Sequence, residues 1–223
     1  MDPTETFSRF RVSDYGVGVE WGQLQPQTIS DDSTTNPDYL ITNNANGVML
    51  AQTVQVEGED AWDVLVQYSP FRIILRSNEQ DLVVVNNQDT LFFESGDELV
   101  QQSISMGYFI NAINLFGLPE RAAEFKLNFT DTQGPYRLWT QDAFDHPWGS
   151  LWPLYASIPY LVGHAASQTA AIAWLNSAET FVDLFQYVNP ALWGTGTHAS
   201  YTSEGGAMEF FIFGSAITPK TVN

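Results

Sequence analysis

The sequence predicts an all-β chain, folded as a sandwich or a barrel, on three observations. Short segments alternate apolar and polar residues with a period of two. Polar, turn-forming clusters separate them at intervals of roughly 8–12 residues. No stretch shows the strand–helix–strand rhythm of a βαβ fold. Hydrophobic residues make up 44% of the 223 positions, with 14% aromatic, which is enough for a packed interior and argues against disorder. No repeat of fixed period and no clean linker divides the chain, so one domain over 1–223 is the simplest reading.

The elements follow in chain order. Pro26 to Asp38 holds Ser, Thr, Asp, Asn and two prolines and reads as a mobile loop. Val48–Val56 ends in alternation, and Trp62–Tyr68 is its hairpin partner, with Gly58-Glu59-Asp60 turning between them. Phe71–Arg76 follows a Ser69-Pro70 break. Leu82–Val85 and Thr90–Glu94 flank the turn-rich Asn86-Asn87-Gln88-Asp89. Leu99 to Phe116 has room for a short helix, although Gly107 and the β-branched residues weaken it. Phe125–Phe129 alternates as a strand, as does much of Ala170–Asn176. Thr180–Phe185 and the strongly apolar Ala207–Gly214 complete the set.

Charge narrows the function. Twenty-six acidic residues against 8 basic ones give a net charge of -18, which repels phosphate backbones and anionic lipid, so no nucleic-acid or membrane partner is expected. No apolar run reaches the roughly 18–20 residues that span a bilayer. Met1-Asp2-Pro3-Thr4-Glu5 has neither a basic nor an apolar leader region. The expectation is a cytosolic protein or a chain that begins after its targeting segment. The absence of cysteine removes disulfides, thiolate metal sites and a cysteine nucleophile. His146, His164 and His198 lie far apart without metal-ligand spacing, so neither metal nor cofactor is expected. No nucleophile elbow, P-loop or dinucleotide fingerprint is present. Asn128-Phe129-Thr130 is a glycosylation sequon, relevant only in a secreted context.

The most unusual composition lies in 136–160. Tyr136, Trp139, Phe144, Trp148, Trp152, Tyr155 and Tyr160 are interleaved there with Asp142, Asp145 and His146. Pro147, Pro153, Pro159 and Gly149 break any helix or long strand. Flat rings suit the C–H faces of a pyranose and carboxylates accept from its hydroxyls; a proline-rich connection packed by its own aromatics is the competing reading. Asp142 and Asp145, three positions apart on a loop, have the reach to meet the carboxylate spacing of a glycosidase, but so do dozens of pairs in so acidic a chain.

Five segments, in order, carry a resemblance. They are Gly117-Leu118-Pro119-Glu120-Arg121-Ala122, Gly134-Pro135-Tyr136-Arg137-Leu138-Trp139, Asp142-Ala143-Phe144, Leu154-Tyr155-Ala156-Ser157-Ile158-Pro159-Tyr160 and Trp174–Asp183. Together they resemble the N-terminal domain of glycoside hydrolase family 31 α-glucosidases, nearest the endoplasmic-reticulum glucosidase II branch. Ala156 stands where the family motif has glycine. The match runs from about Gly117 to Phe213, with weaker support back to Trp62. It implies a two-sheet antiparallel β-sandwich of the galactose-mutarotase-like type, docked on a (β/α)8 barrel that carries the nucleophile and acid/base aspartates. The chain stops at Asn223, and a barrel of roughly 250 residues does not fit after the sandwich.

The resemblance therefore implies no catalytic residue in this chain. It implies a loop lent to an α-glucoside pocket, with Asp142 as the sugar-contacting carboxylate and Phe144 as its neighbour. The partner is the barrel, in the same enzyme or a companion chain, and the address is the endoplasmic-reticulum lumen. Trp174 and Glu179 read as core and sheet-edge residues. The lone chain is expected to be inactive. Against this stands a freestanding carbohydrate-binding or interaction module, whose barrel-facing surface would be polar or closed instead of broadly apolar. A mutarotase-like enzyme would need a paired acid and base on a concave sheet, for which three scattered histidines give little support.

Overall fold

The described residues of this computed structural model, 39–52, 62–94, 103–189 and 193–215, hold fourteen strands and no helix. In chain order the strands are β1 (Tyr39–Asn44), β2 (Gly47–Gln52), β3 (Trp62–Gln67), β4 (Arg72–Ser77), β5 (Gln80–Val85), β6 (Phe92–Glu94) and β7 (Ser103–Ile110). The second half holds β8 (Asn114–Pro119), β9 (Tyr136–Leu138), β10 (Ser157–Ala165), β11 (Gln168–Trp174), β12 (Thr180–Asn189), β13 (Gly194–Ser203) and β14 (Phe210–Ser215). A ten-stranded sheet runs β1-β2-β3-β4-β5-β7-β13-β12-β9, with β6 also bonded to β7. A four-stranded sheet, β14-β11-β10-β8, packs against it through β11 and β14 over β4 and β5. Every pairing is antiparallel. The chain is an all-β two-sheet sandwich, as expected.

Alternation builds the core. Ile104, Met106, Tyr108 and Ile110 of β7 point between the sheets with Val182 and Leu184 of β12 and Ala199 and Tyr201 of β13. Trp174, fully buried on β11, meets Tyr108 edge-on at 6.4 Å and Tyr201 at 5.7 Å. Its indole N–H donates to Ser203 Oγ at 2.9 Å, so the ring satisfies its one donor while joining the sheets. Truncating such a residue costs about 3–5 kcal/mol. The Tyr108 and Tyr201 hydroxyls are buried without a hydrogen-bond partner, and burial raises both phenol pKa values.

The opposite face of the large sheet carries a second cluster of Val84, Phe109 and Tyr187, with Trp193 packed on it. Arg72 lies 5.5 Å over the Trp193 ring. β7 is thus buried on both faces toward its C-terminal end.

Several expectations are corrected. Leu99–Phe116 contains no helix among its described residues; β7 and β8 occupy it, because Ser103, Ser105 and Gly107 alternate with Ile104, Met106 and Tyr108. Phe125–Phe129 is not a strand. Leu127 N–H donates to Leu115 O at 2.8 Å and Asn128 N–H donates to Tyr136 Oη at 2.9 Å, so the segment is held by a backbone bond and a side-chain bond instead of a ladder. Pro159 does not prevent a long strand, since β10 shifts register against β8 between Ser157 and Leu161. A proline there interrupts no ladder bond. Either side of the Asn86–Asp89 turn, β5 and β6 both pair with β7, at Tyr108–Ile110 and Ser103–Ser105. The Pro26–Asp38 and Gly58-Glu59-Asp60 expectations lie outside the described residues.

Candidate functional site

The 139–156 connection leaves β9 at one sheet edge and re-enters at β10, and backbone bonds tie it down at several points. The β8–β10 ladder continues past Pro119: Glu120 N–H donates to Ala156 O at 2.7 Å and Leu154 N–H to Glu120 O at 2.9 Å. Gln141 N–H reaches Leu154 O at 2.8 Å and Gly149 N–H reaches Ala122 O at 2.7 Å. The Glu120 carboxylate then accepts the N–H groups of Tyr155 and Ala156, each at 3.2 Å.

This anchor depends on the Gly117–Ala122 segment, the end of β8 and its continuation. Gly117 has φ +105°, and a Cβ there would lie 2.2 Å from Tyr160 O, so only glycine fits. Arg121 donates to the carbonyls of Gly117, Pro119, Glu124 and Phe125 at 2.8–3.3 Å. Its guanidinium sits 5.5 Å over the Tyr136 ring. Partial burial lowers its pKa, with Tyr136 opposing.

Asp142 sits on this anchored loop. Its Oδ1 accepts from Tyr155 Oη at 2.7 Å, and that bond is the main reason the Tyr155 phenol pKa is raised. The hydrogen bond leaves Oδ2 for another donor. Phe144, two residues on, is 93% exposed, with Trp148 at 77% and Trp152 at 60%. Three large rings so exposed on one tied loop lack cover among the described residues, as at a docking surface. Asp145 and His146 are exposed on the same loop.

At the loop's base, Trp139, Ser157, Pro159 and Asn176 border a shallow groove of about 270 Å³. It is open and smaller than the roughly 300–1,000 Å³ of typical ligand pockets.

The Trp174–Asp183 segment is architectural. Asn176 Nδ2 donates to Gly205 O at 2.8 Å and its Oδ1 accepts Ala178 N–H at 2.8 Å. Glu179 pairs with Arg137 of edge strand β9.

Among the described residues no acid–base pair of the mutarotase kind accompanies the histidines. His198, on the outer face of the large sheet, is 6% exposed, hydrogen-bonded to Asn87 Oδ1 at 2.9 Å and stacked on Phe185. Burial lowers its pKa to about 4, so the ring is neutral. His164 bonds Thr169 Oγ1 at 2.8 Å. Among the described residues no group of three or more His, Asp or Glu could hold a metal ion.

Sequence reasoning gave Glu120 and Tyr155 no role of their own. Glu120 meets its partners 35 and 36 positions away, beyond any local pattern. The available signal was that both lie inside the ordered motifs flanking Asp142.

Comparison with known proteins identifies the family and the fold. The profile of the glycosyl hydrolase 31 N-terminal galactose mutarotase-like domain matches residues 20–183. The Neutral alpha-glucosidase AB of Dictyostelium discoideum is 32% identical over 125 residues, 54% of this chain and 13% of that protein. The Glucosidase 2 subunit alpha of Schizosaccharomyces pombe is 24% identical over 196 residues, 72% of this chain and 21% of that protein. A crystal structure of the ER glucosidase II heterodimer, catalytic subunit with the binding domain of the regulatory subunit, superposes with a TM-score of 0.72 at 22% identity. That match covers 82% of this chain and 24% of the solved one. The chain therefore spans less than a quarter of the length of each of these relatives. With a profile match over most of its length, a shared two-sheet fold and the five ordered motifs in place, the chain belongs to the glycosyl hydrolase 31 family as its N-terminal galactose mutarotase-like domain.

Proposed function

We propose that this domain supports the catalytic barrel of a glucosidase II-like α-glucosidase and completes its sugar pocket with the 139–156 loop. Asp142 accepts from a sugar hydroxyl through Oδ2, and Phe144 covers an adjoining apolar face. The barrel, with both catalytic carboxylates, lies in the rest of the enzyme or in a companion chain, and the lone domain does not hydrolyse glycosides. The assembled enzyme trims glucose from glycans in the endoplasmic-reticulum lumen.

The observation that carries this reading is the Tyr155–Asp142 hydrogen bond at 2.7 Å, on a loop whose backbone is tied to Glu120 and Ala122. An exposed carboxylate so held keeps one oxygen oriented without loss of side-chain freedom on binding. The uncovered rings of Phe144, Trp148 and Trp152 are what a barrel mouth would cover, and the shallow groove alone cannot enclose a sugar.

The test is an aryl α-glucosidase assay of this chain alone and joined to, or mixed with, a barrel-bearing polypeptide. The lone chain should show no turnover. In the assembled enzyme Asp142→Ala should lower kcat/KM by about 10–100-fold, the loss of one hydrogen bond to a charged group at about 1.5–3 kcal/mol. Turnover by the lone chain, or an unchanged kcat/KM in the variant, would refute it.

A further inference from the structure

Asn128-Phe129-Thr130 is the single Asn-x-Ser/Thr triplet of the chain in which x is not proline. The fold treats its two ends differently. Asn128 is exposed. Its backbone is clamped by one hydroxyl, Tyr136 Oη, which accepts Asn128 N–H at 2.9 Å and donates to Asn128 O at 3.2 Å. The main chain is thereby held while the carboxamide side chain stays outside.

Thr130 is 4% exposed. Its Oγ1 donates to Asp183 Oδ1 at 2.8 Å and accepts Leu184 N–H at 2.9 Å. Its own N–H donates to Leu184 O at 2.9 Å. The residue plugs the edge of β12 beyond β9, and the folded domain buries the hydroxyl that makes the triplet an acceptor.

We propose that Asn128 is an N-glycan acceptor, modified on the growing chain before β12 docks on Thr130. The order of synthesis permits this. The partners of Thr130 lie 53 and 54 positions later, so at about 5–20 residues per second they follow it by roughly 3–10 s. During that interval the Thr130 hydroxyl lacks its β12 partners Asp183 and Leu184. Afterwards the fold closes over Thr130 and leaves the glycan-bearing side chain in solvent. The co-reactant is a lipid-linked oligosaccharide. Asn128 Nδ2 bonds to the sugar C1, the bond from C1 to the lipid pyrophosphate breaks, and Nδ2 loses one proton, with no change of oxidation state.

In nature this modification rests on the lumenal address proposed above. The experiment removes that dependence by supplying the leader. The chain is expressed behind a cleavable secretory leader in yeast, and the secreted protein is weighed before and after peptide:N-glycosidase treatment. One glycan is expected on wild type, none on Asn128→Gln, and conversion of position 128 to aspartate on enzymatic release.

A second arm presents purified, unglycosylated chain to oligosaccharyltransferase with its lipid donor, folded or held unfolded in mild denaturant. Occupancy of the folded form should be lower by at least about 10-fold, the factor given by ~1.4 kcal/mol of docking. A secreted wild-type chain without glycan, or a glycan persisting in Asn128→Gln, overturns the site. Equal occupancy of folded and unfolded chains overturns the order of events. Neither result bears on the α-glucosidase reading, whose own assay needs no leader and no glycan.

Discussion

Replacing His198 with glutamine should flatten the acid side of this domain's stability curve. The ring is 6% exposed, wedged against Phe185 and bonded to the neutral Asn87, so a proton on it gains no counter-charge from these neighbours. Burial moves the folded pKa from 6.5 to about 4. The sign follows directly. Above the unfolded pKa both states hold a neutral ring and the group is silent. As the pH falls below it the unfolded chain takes up the proton and the folded chain does not, so stability falls until the folded pKa is reached. A shift of this size amounts to about 3 kcal/mol in total, of which ~2 kcal/mol is lost between pH 7 and pH 5. Urea titrations followed by tryptophan fluorescence at those two pH values measure it. The 26 carboxylates contribute to both proteins, so the quantity read is the difference in pH dependence between wild type and His198→Gln. The variant should be less pH-sensitive by about 2 kcal/mol, whatever its stability at neutral pH. Equal losses in the two proteins would show that the ring can be protonated in place, and the burial argument would fail.

Three further outcomes follow from the packing. Gly117→Ala forces a Cβ to within 2.2 Å of Tyr160 O at a φ of +105°; a loss of about 1–3 kcal/mol, and a fall of several degrees in melting temperature by calorimetry, is expected. Tyr201→Phe removes a buried hydroxyl that has no partner and should leave stability unchanged or raise it by ~1 kcal/mol, read from the same urea titrations. Asp142→Asn should bring the Tyr155 phenol back toward the ordinary tyrosine range, since the carboxylate hydrogen bond is the first cause of its raised pKa. A spectrophotometric alkaline titration compared with Tyr155→Phe isolates that one phenol.

Local pattern alone determined a good deal of this molecule. The strands over Trp62–Gln67, Arg72–Ser77, Gln80–Val85, Gln168–Trp174 and Phe210–Ser215 were legible because each alternates or runs apolar between turn residues. Alternation is a property of the strand itself. The placement of Asp142 and Phe144 on a loop was equally legible, because prolines and glycine exclude regular structure from neighbours alone. The tertiary structure decided whatever depends on a partner. Phe125–Phe129 has the period of a strand but is held at Leu127 by Leu115 O and at Asn128 by Tyr136 Oη instead of by a ladder. β13, opening Gly194-Thr195-Gly196-Thr197-His198-Ala199-Ser200, shows almost no apolar rhythm, and is a strand because β7 and β12 bond it on both sides. Trp174 is core only because a second sheet brings Tyr108 and Tyr201 to its face. The fixing of Asp142 needed Tyr155 from 13 positions away and Glu120 from 35 positions before that tyrosine. Hydrogen bonds of that separation are set by where the sheets carry the chain, which no window of sequence contains.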